Sequence, residues 1–117
     1  YMKAANESMK LFAQIETKQG CENIADIIQT EGVEGVFIGP NDLSADLNCI
    51  GDNRPILPYI EKIGTVAKQA GKVWGIITTD KELIAHSLRF GADMVSYGSE
   101  INMLKSGSKH IREMMLW

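Results

Sequence analysis

Two acidic side chains, Glu16 and Asp42, have the types and placement to hold a metal ion. Glu16 closes the apolar run LFAQIE. Asp42 follows Val36-Phe37-Ile38 and the break Gly39-Pro40-Asn41. An apolar run that stops abruptly reads as a buried strand with a carboxylate at its C-terminal lip, the place where α/β barrels keep their chemistry. Neighbouring parallel strands lie about 4.8 Å apart, so two short acids at consecutive strand ends can reach one ion. With no Cys or His in the set, the donors are all hard oxygens. That suits Mg²⁺ or Mn²⁺, with water and substrate oxygens completing an octahedron. A 2-oxo acid offers two such oxygens, one from its carboxylate and one from its ketone, and the ion would act as a Lewis acid toward an enolate. Taken singly, each acid has a plainer reading. Asp42 can be a helix N-cap or loop residue before Leu43-Ser44, and Glu16 a solvated charge at a strand end.

These acids need a scaffold to bring them together. The sequence predicts a helix over 2–9, carrying Asn6 and Glu7 near its end, and strands over 10–16, 33–38, 73–77 and 93–97. Further helices are predicted over 21–29, 55–70 and 100–115, with one more opening at a capping box, Thr79–Glu82. Ile24, Ile27 and Ile28 mark one apolar stripe, and Leu83, Ile84 and Leu88 another. Gly20 is read as breaking the strand exit, and Gly32, Gly71 and Gly91 as helix stops. Residues 41–54 read as a long polar connection, and long connections in compact domains are more often functional than idle.

Strands alternating with helices imply a parallel sheet with covering helices. Two closures fit: a small doubly wound sheet, or four βα units forming half of a (β/α)8 barrel. The chain begins at Tyr1 inside a helical pattern and ends at Trp117 without a stop signal. This predicts a piece of a longer protein and favours the half barrel, with residues 1–117 as one fragment of a single barrel domain. Such a half would leave strand edges unpaired, an association hazard.

Composition narrows the function classes. The 117 residues suffice for one modest core. A net charge of −3 without a basic cluster argues against a nucleic-acid surface. Cys21 and Cys49 are too few for a disulfide framework and read as reduced thiols of a cytoplasmic protein. No apolar run approaches the roughly 20 residues of a membrane span, and no signal-peptide pattern is visible.

The segments QIETKQGCENI, GVEGVFIGPNDLSADL, WGIITTD and DMVSYGSE together resemble the C-terminal half of the HpcH/HpaI family. These are metal-dependent class II pyruvate aldolases with a TIM-type barrel, and the resemblance runs over essentially the whole chain. Its most specific parts are QIET, Gln14 to Thr17, and GPNDLS, Gly39 to Ser44. The resemblance implies that Glu16 and Asp42 bind Mg²⁺ or Mn²⁺. It also implies that the backbone amides of Asn41 and Asp42 bind the pyruvate carboxylate, and that Ile77 packs on pyruvate. The implied reaction is that of a lyase: cleavage of 4-hydroxy-2-oxo acids to pyruvate and an aldehyde through a metal-stabilised pyruvate enolate. The family's catalytic His and enolate-stabilising Arg belong to the N-terminal half. No catalytic residue is therefore expected here, and this piece alone is expected to be inactive.

His86 and His110 lie within predicted helices and do not replace the missing base; Arg89 and Arg112 read as helix-surface charges. Glu100 follows Gly98-Ser99 where relatives usually show an aspartate. Gly98-Ser99 before a helix could hold an anion. Cys21 has no base beside it and is not expected to be a catalytic thiol. Met103, Met114, Met115 and Trp117 form an apolar face expected to pack on a neighbour, and the resemblance implies a homo-oligomer. Two alternatives stand beside the aldolase. One is an acyl-CoA lyase of the citrate-lyase type, for which no basic site for the CoA phosphates is visible. The other is a non-catalytic half barrel that binds metal or self-associates.

Overall fold

The computed structural model describes residue 5 and residues 8–115. Most of the expected helix over 2–9, with Asn6 and Glu7, lies outside the described residues, as does Trp117. Four strands, β1 (Leu11–Ile15), β2 (Val33–Ile38), β3 (Val73–Ile77) and β4 (Met94–Ser96), pair in the order β1-β2-β3-β4, every pair parallel. A doubly wound sheet changes direction at a switch point in its strand order. Here the order follows the chain throughout, as in an arc cut from a barrel. Between the strands run α1 (Lys18–Glu22), α2 (Ile24–Gln29), α3 (Pro40–Asp46), α4 (Leu57–Gln69) and α5 (Lys81–Arg89); α6 (Glu100–Met115) follows β4. Among the described residues, no helix is long and apolar enough to cross a membrane.

The two faces of the sheet differ because side chains alternate along a strand. Ile15, Val36, Ile38, Trp74 and Ile76 are buried in one core with Ile24, Ile28, Leu43, Ile60, Ile63 and Leu83 from the helices. Removing each such side chain from water contributes on the order of 2 kcal/mol. The alternate residues make the other, more open face. In its rows Phe12 pairs with Gly35, and Gln14 with Phe37, then Gly75, then Met94. Phe12 occupies the space a Cβ would need at Gly35, and Phe37 does the same at Gly75. Both glycines are therefore required by close approach.

Several elements differ from expectation for local reasons. The helix over 21–29 is two helices, broken at Asn23 (φ −91°, ψ 12°). It begins earlier because the Thr17 hydroxyl accepts the Gly20 N–H at 3.0 Å and the Asp46 carboxylate accepts the Lys18 N–H at 2.7 Å. Gly20 thus sits inside a helix and does not end the strand. The polar connection over 41–54 starts as α3, with Pro40 at a first-turn position it favours. A 3-10 turn, Arg54–Ile56, then leads into α4. The cap of α5 is Asp80, not Thr79: its carboxylate accepts the N–H groups of Glu82 and Leu83 at 2.9 and 3.0 Å. The buried side of α5 consequently carries Leu83 and Ser87, whereas Leu88 is 55% exposed. On α6 no described side chain is buried, and Ile101, Met103, Leu104, Ile111, Met114 and Met115 are all exposed.

Candidate active site

The site is built at the C-terminal ends of β1 and β2. Ile15 pairs with Ile38, and the Gly39 N–H donates to the Ile15 carbonyl at 3.0 Å. Glu16 and Gly39 are thus the next pair beyond the ladder. Alternation places them on the open face, in line with Ile77 of β3 and Ser96 of β4, which pair with each other. Gln14, two residues before Glu16 on the same face, donates its Nε2 hydrogen to Glu16 Oε2 at 2.8 Å. That contact fixes the carboxylate's orientation and leaves Oε1 for another partner. A Cβ at Gly39 would lie 2.9 Å from Gln14 Nε2, 3.2 Å from Glu16 Cβ and 3.3 Å from Glu16 Oε2. Only the absence of a side chain at Gly39 lets the pair stand where it does.

Asp42 comes to the same end by a different route. Gly39 is the N-cap of α3 and makes no side-chain cap, so Asp42 lies inside the first helical turn and is not the cap itself. The Leu43 N–H already donates to Gly39 O at 3.0 Å. The N–H groups of Asn41 and Asp42 precede it and have no intrahelical acceptor. A carboxylate here is favoured by the positive end of the helix. The turn is pinned from below by Leu43, which is fully buried, and by Ser44, whose Oγ donates to Asn41 O at 2.7 Å. Glu16 is half-buried, and Asn41 and Asp42 are exposed.

A cleft of about 320 Å³ opens beside Asn41 and Ile77 and continues between the loops after β2, β3 and β4. Its wall contains a link absent from the sequence reading: Asn53 Nδ2 donates to Asp80 Oδ2 at 2.9 Å, joining loops 27 residues apart. Asp80 alone could have been anticipated, since aspartate just before a helical run is a favoured N-cap. Nothing local marks Asn53.

The remaining candidates lie elsewhere or are already engaged. His86 on α5 stands 3.1 Å from the Glu61 carboxylate on α4 and packs against Phe90, the rings tilted by 42° with centroids 5.1 Å apart, a packing role. His110 is exposed on α6. At Gly98-Ser99, the Ser99 hydroxyl itself accepts the Asn102 N–H at 3.4 Å. Cys21 is fully buried, and burial pushes its thiol up to about 11, against the pull of Lys62, so it is no nucleophile.

Glu16 directly follows β1, and Asp42 lies in the first turn of the helix that follows β2; both offer hard oxygen donors. Among the described residues, no cluster of three or more His, Cys, Asp or Glu side chains forms. Two carboxylates fit a small divalent cation that keeps water and substrate in its other positions.

Known proteins share this arrangement of elements. A family model, HpcH/HpaI aldolase/citrate lyase, matches residues 2–106. A 4-hydroxy-2-oxo-heptane-1,7-dioate aldolase from Shigella sonnei is 37% identical over 106 residues, which are 89% of this chain and 40% of that relative. The crystal structure of an HpcH/HpaI aldolase from Desulfitobacterium hafniense aligns with a TM-score of 0.84 at 28% identity, covering 98% of this chain and 46% of that one. An HpcH/HpaI aldolase/citrate lyase family protein from Burkholderia cenocepacia aligns with a TM-score of 0.86 at 25% identity over the same shares. The chain thus spans less than half the length of each of these relatives.

Proposed function

The chain belongs to the HpcH/HpaI aldolase/citrate lyase family, and from that premise we propose that it carries the cation- and 2-oxo-acid-binding part of a carbon–carbon lyase. Its four parallel strands and their helices are a fragment of that family's fold, a TIM-type barrel. Glu16 and Asp42 hold Mg²⁺ or Mn²⁺, with Gln14 keeping the Glu16 carboxylate turned toward the ion. The N–H groups of Asn41 and Asp42 receive the carboxylate of pyruvate, and Ile77 packs against its methyl group. When bound, the cation supplies the Lewis acidity by which a 4-hydroxy-2-oxo acid is cleaved to pyruvate and an aldehyde.

The observation that carries this reading is the alignment of Glu16, Gly39 and Ile77 in one row of the open face, with the α3 turn directly after Gly39. The relative's name, 4-hydroxy-2-oxo-heptane-1,7-dioate aldolase, supports the reaction class. Among the described residues no Lys or Arg lines the cleft, which favours a small 2-oxo acid over a CoA thioester. Residues 1–117 are on this reading the C-terminal half of one barrel domain, and the other half supplies the acid–base groups. The chain's 40% share of its relative's length supports that division, as do the outer edges of β1 and β4, which no described strand pairs. The exposed apolar side chains of α6 support a homo-oligomer.

The test uses the full-length protein that contains these residues, as wild type and Asp42→Ala. Proton exchange at the pyruvate methyl group is followed by NMR in D₂O with Mg²⁺ and then with EDTA, alongside a Mn²⁺ titration. The expected result is cation-dependent exchange that Asp42→Ala abolishes together with tight Mn²⁺ binding. Wild-type exchange that persists in EDTA would refute the role given to the two acids.

A further inference from the structure

Glu16 and Asp42 each lie between the same two cross-links. Ahead of both, the Gly39 N–H donates to the Ile15 carbonyl at 3.0 Å. Beyond both, the Lys18 N–H donates to the Asp46 carboxylate at 2.7 Å. Glu16 thus falls between Ile15 and Lys18 on one segment, and Asp42 between Gly39 and Asp46 on the other. The first bond joins backbone to backbone and prolongs the pairing of β1 with β2. The second depends on a side chain, so the residue type at position 46 decides whether it forms.

Asp46 is badly placed for its own helix. It is the last residue of α3, and a negative charge at a helix C-terminus opposes the helix dipole. The same charge meets the first N–H of α1, where it is favoured, and a short charge-assisted bond of this kind is a strong one. The start of α1 does not need it, since the Thr17 hydroxyl already caps that helix through the Gly20 N–H and water would satisfy the exposed Lys18 N–H. The end of α3 is closed so as to hold Asp46 in place. Asn48 is the only non-glycine with a positive φ, 53°, among the described residues. It lets the Cys49 N–H reach the Ser44 carbonyl at 2.8 Å and its own N–H reach that of Ala45 at 3.1 Å. Asp42 and Asp46, one turn apart, share a side of α3.

We infer that Asp46 is a positioning residue of the cation site: through the Lys18 N–H it fixes the Glu16 segment against the turn that carries Asp42. This rests on the cation reading above and adds to it a residue that acts through the backbone of Lys18. Partners that orient ligating side chains are worth about 10–100-fold in metal affinity. Asp46 acts one link further out, so about tenfold is expected.

The experiment is Mn²⁺ titration of the full-length protein, in which the number of sites reports folded protein and Kd reports the site's geometry. Asp46→Ala removes the acceptor. Asp46→Asn keeps an acceptor of equal capping strength without the charge. Lys18→Pro removes the donor at a first helical position, where proline is tolerated, after Thr17, whose φ −133° and ψ 155° suit a residue preceding proline. Asp46→Ala and Lys18→Pro are expected to weaken Kd about tenfold with the number of sites unchanged, and Asp46→Asn to restore it to within about threefold. Wild-type Kd in Asp46→Ala or Lys18→Pro overturns the proposal, as does fewer sites at wild-type Kd, the mark of a residue that serves folding alone. Asp46→Asn as weak as Asp46→Ala overturns it too, because charge and not the hydrogen bond would then be the cause. Mn²⁺ binding that Asp42→Ala leaves intact overturns the cation reading itself, and this proposal with it.

Discussion

Gly39→Ala should separate folding from cation binding. Gly39 has φ −99° and ψ 88°, which alanine can adopt, so the backbone raises no barrier. The added methyl would meet Gln14 Nε2 at 2.9 Å and Glu16 Cβ at 3.2 Å. Gln14 Nε2 ends a flexible, exposed side chain and swings aside at small cost, while Glu16 gives by a few tenths of an ångström. Reduced freedom of the unfolded chain favours the variant by about 0.4–1 kcal/mol. Loss of the exposed hydrogen bond between Gln14 and the Glu16 carboxylate opposes it by about 1–2 kcal/mol. The net loss of stability is therefore between about zero and 1.6 kcal/mol, a shift in Tm of several degrees at most. Cation affinity should fall further, because losing the partner that orients a ligating side chain costs about 10–100-fold. Thermal unfolding and Mn²⁺ titration of the full-length protein provide the assay. Gln14→Ala serves as a companion that removes the same hydrogen bond without the methyl. Both variants should lose affinity by a similar factor. Wild-type affinity in either would refute the orientation argument. A stability loss above about 3 kcal/mol in Gly39→Ala would mean that close packing, not ligand orientation, is what the glycine serves.

Two other outcomes follow from the geometry. Asp80 is depressed from an ordinary value of 3.8, chiefly by the Leu83 N–H. A carboxyl lowered on folding stabilises the fold above its unfolded value, and that contribution is lost as pH falls through the folded value. Urea unfolding should therefore weaken less between pH 7 and pH 3 in Asp80→Asn than in wild type; equal acid sensitivity would contradict the assignment. Cys21, with its thiol pushed up to about 11 by burial, should resist iodoacetamide at pH 8 in the native protein while half-buried Cys49 reacts. Peptide mapping that finds native Cys21 labelled as fast as Cys49 would overturn this.

Legibility from the amino-acid pattern depended on how local each cause was. The runs Val33–Ile38 and Val73–Ile77 have the bounds their apolar character predicts. Glu16 and Ile77 share a face because alternation along strands is a local rule. The contact of Gln14 with Glu16 was open to the same argument, being two residues apart on one strand. What escaped was tertiary. The early start of α1 depends on Asp46 reaching Lys18 from 28 residues away. The helix α3 is short and polar, and the sequence offered only a helical turn at Leu43-Ser44, as the plainer reading of Asp42. On α5 the small Ser87 goes inward and the larger Leu88 outward. The Asn53–Asp80 bridge, which shapes the cleft, joins residues with no shared pattern.

The Phe–Gly pairs on the open face have a sense as well as a fit. Phe12 leans over Gly35 of the next strand, and Phe37 leans over Gly75 of the strand after that. They overlap like tiles laid in one direction, each covering the course that follows it. An enlarged residue would consequently press on the strands to either side of it. A methyl at Gly75 meets the Met94 carbonyl oxygen on β4 as well as Phe37 on β2, and one at Gly35 meets the Val73 carbonyl oxygen on β3 as well as Phe12 on β1. The course ends at Met94, opposite Gly75. Its flexible thioether can settle against differently shaped neighbours, so a strand added beyond β4 meets an adjustable edge where the earlier strands met a rigid ring.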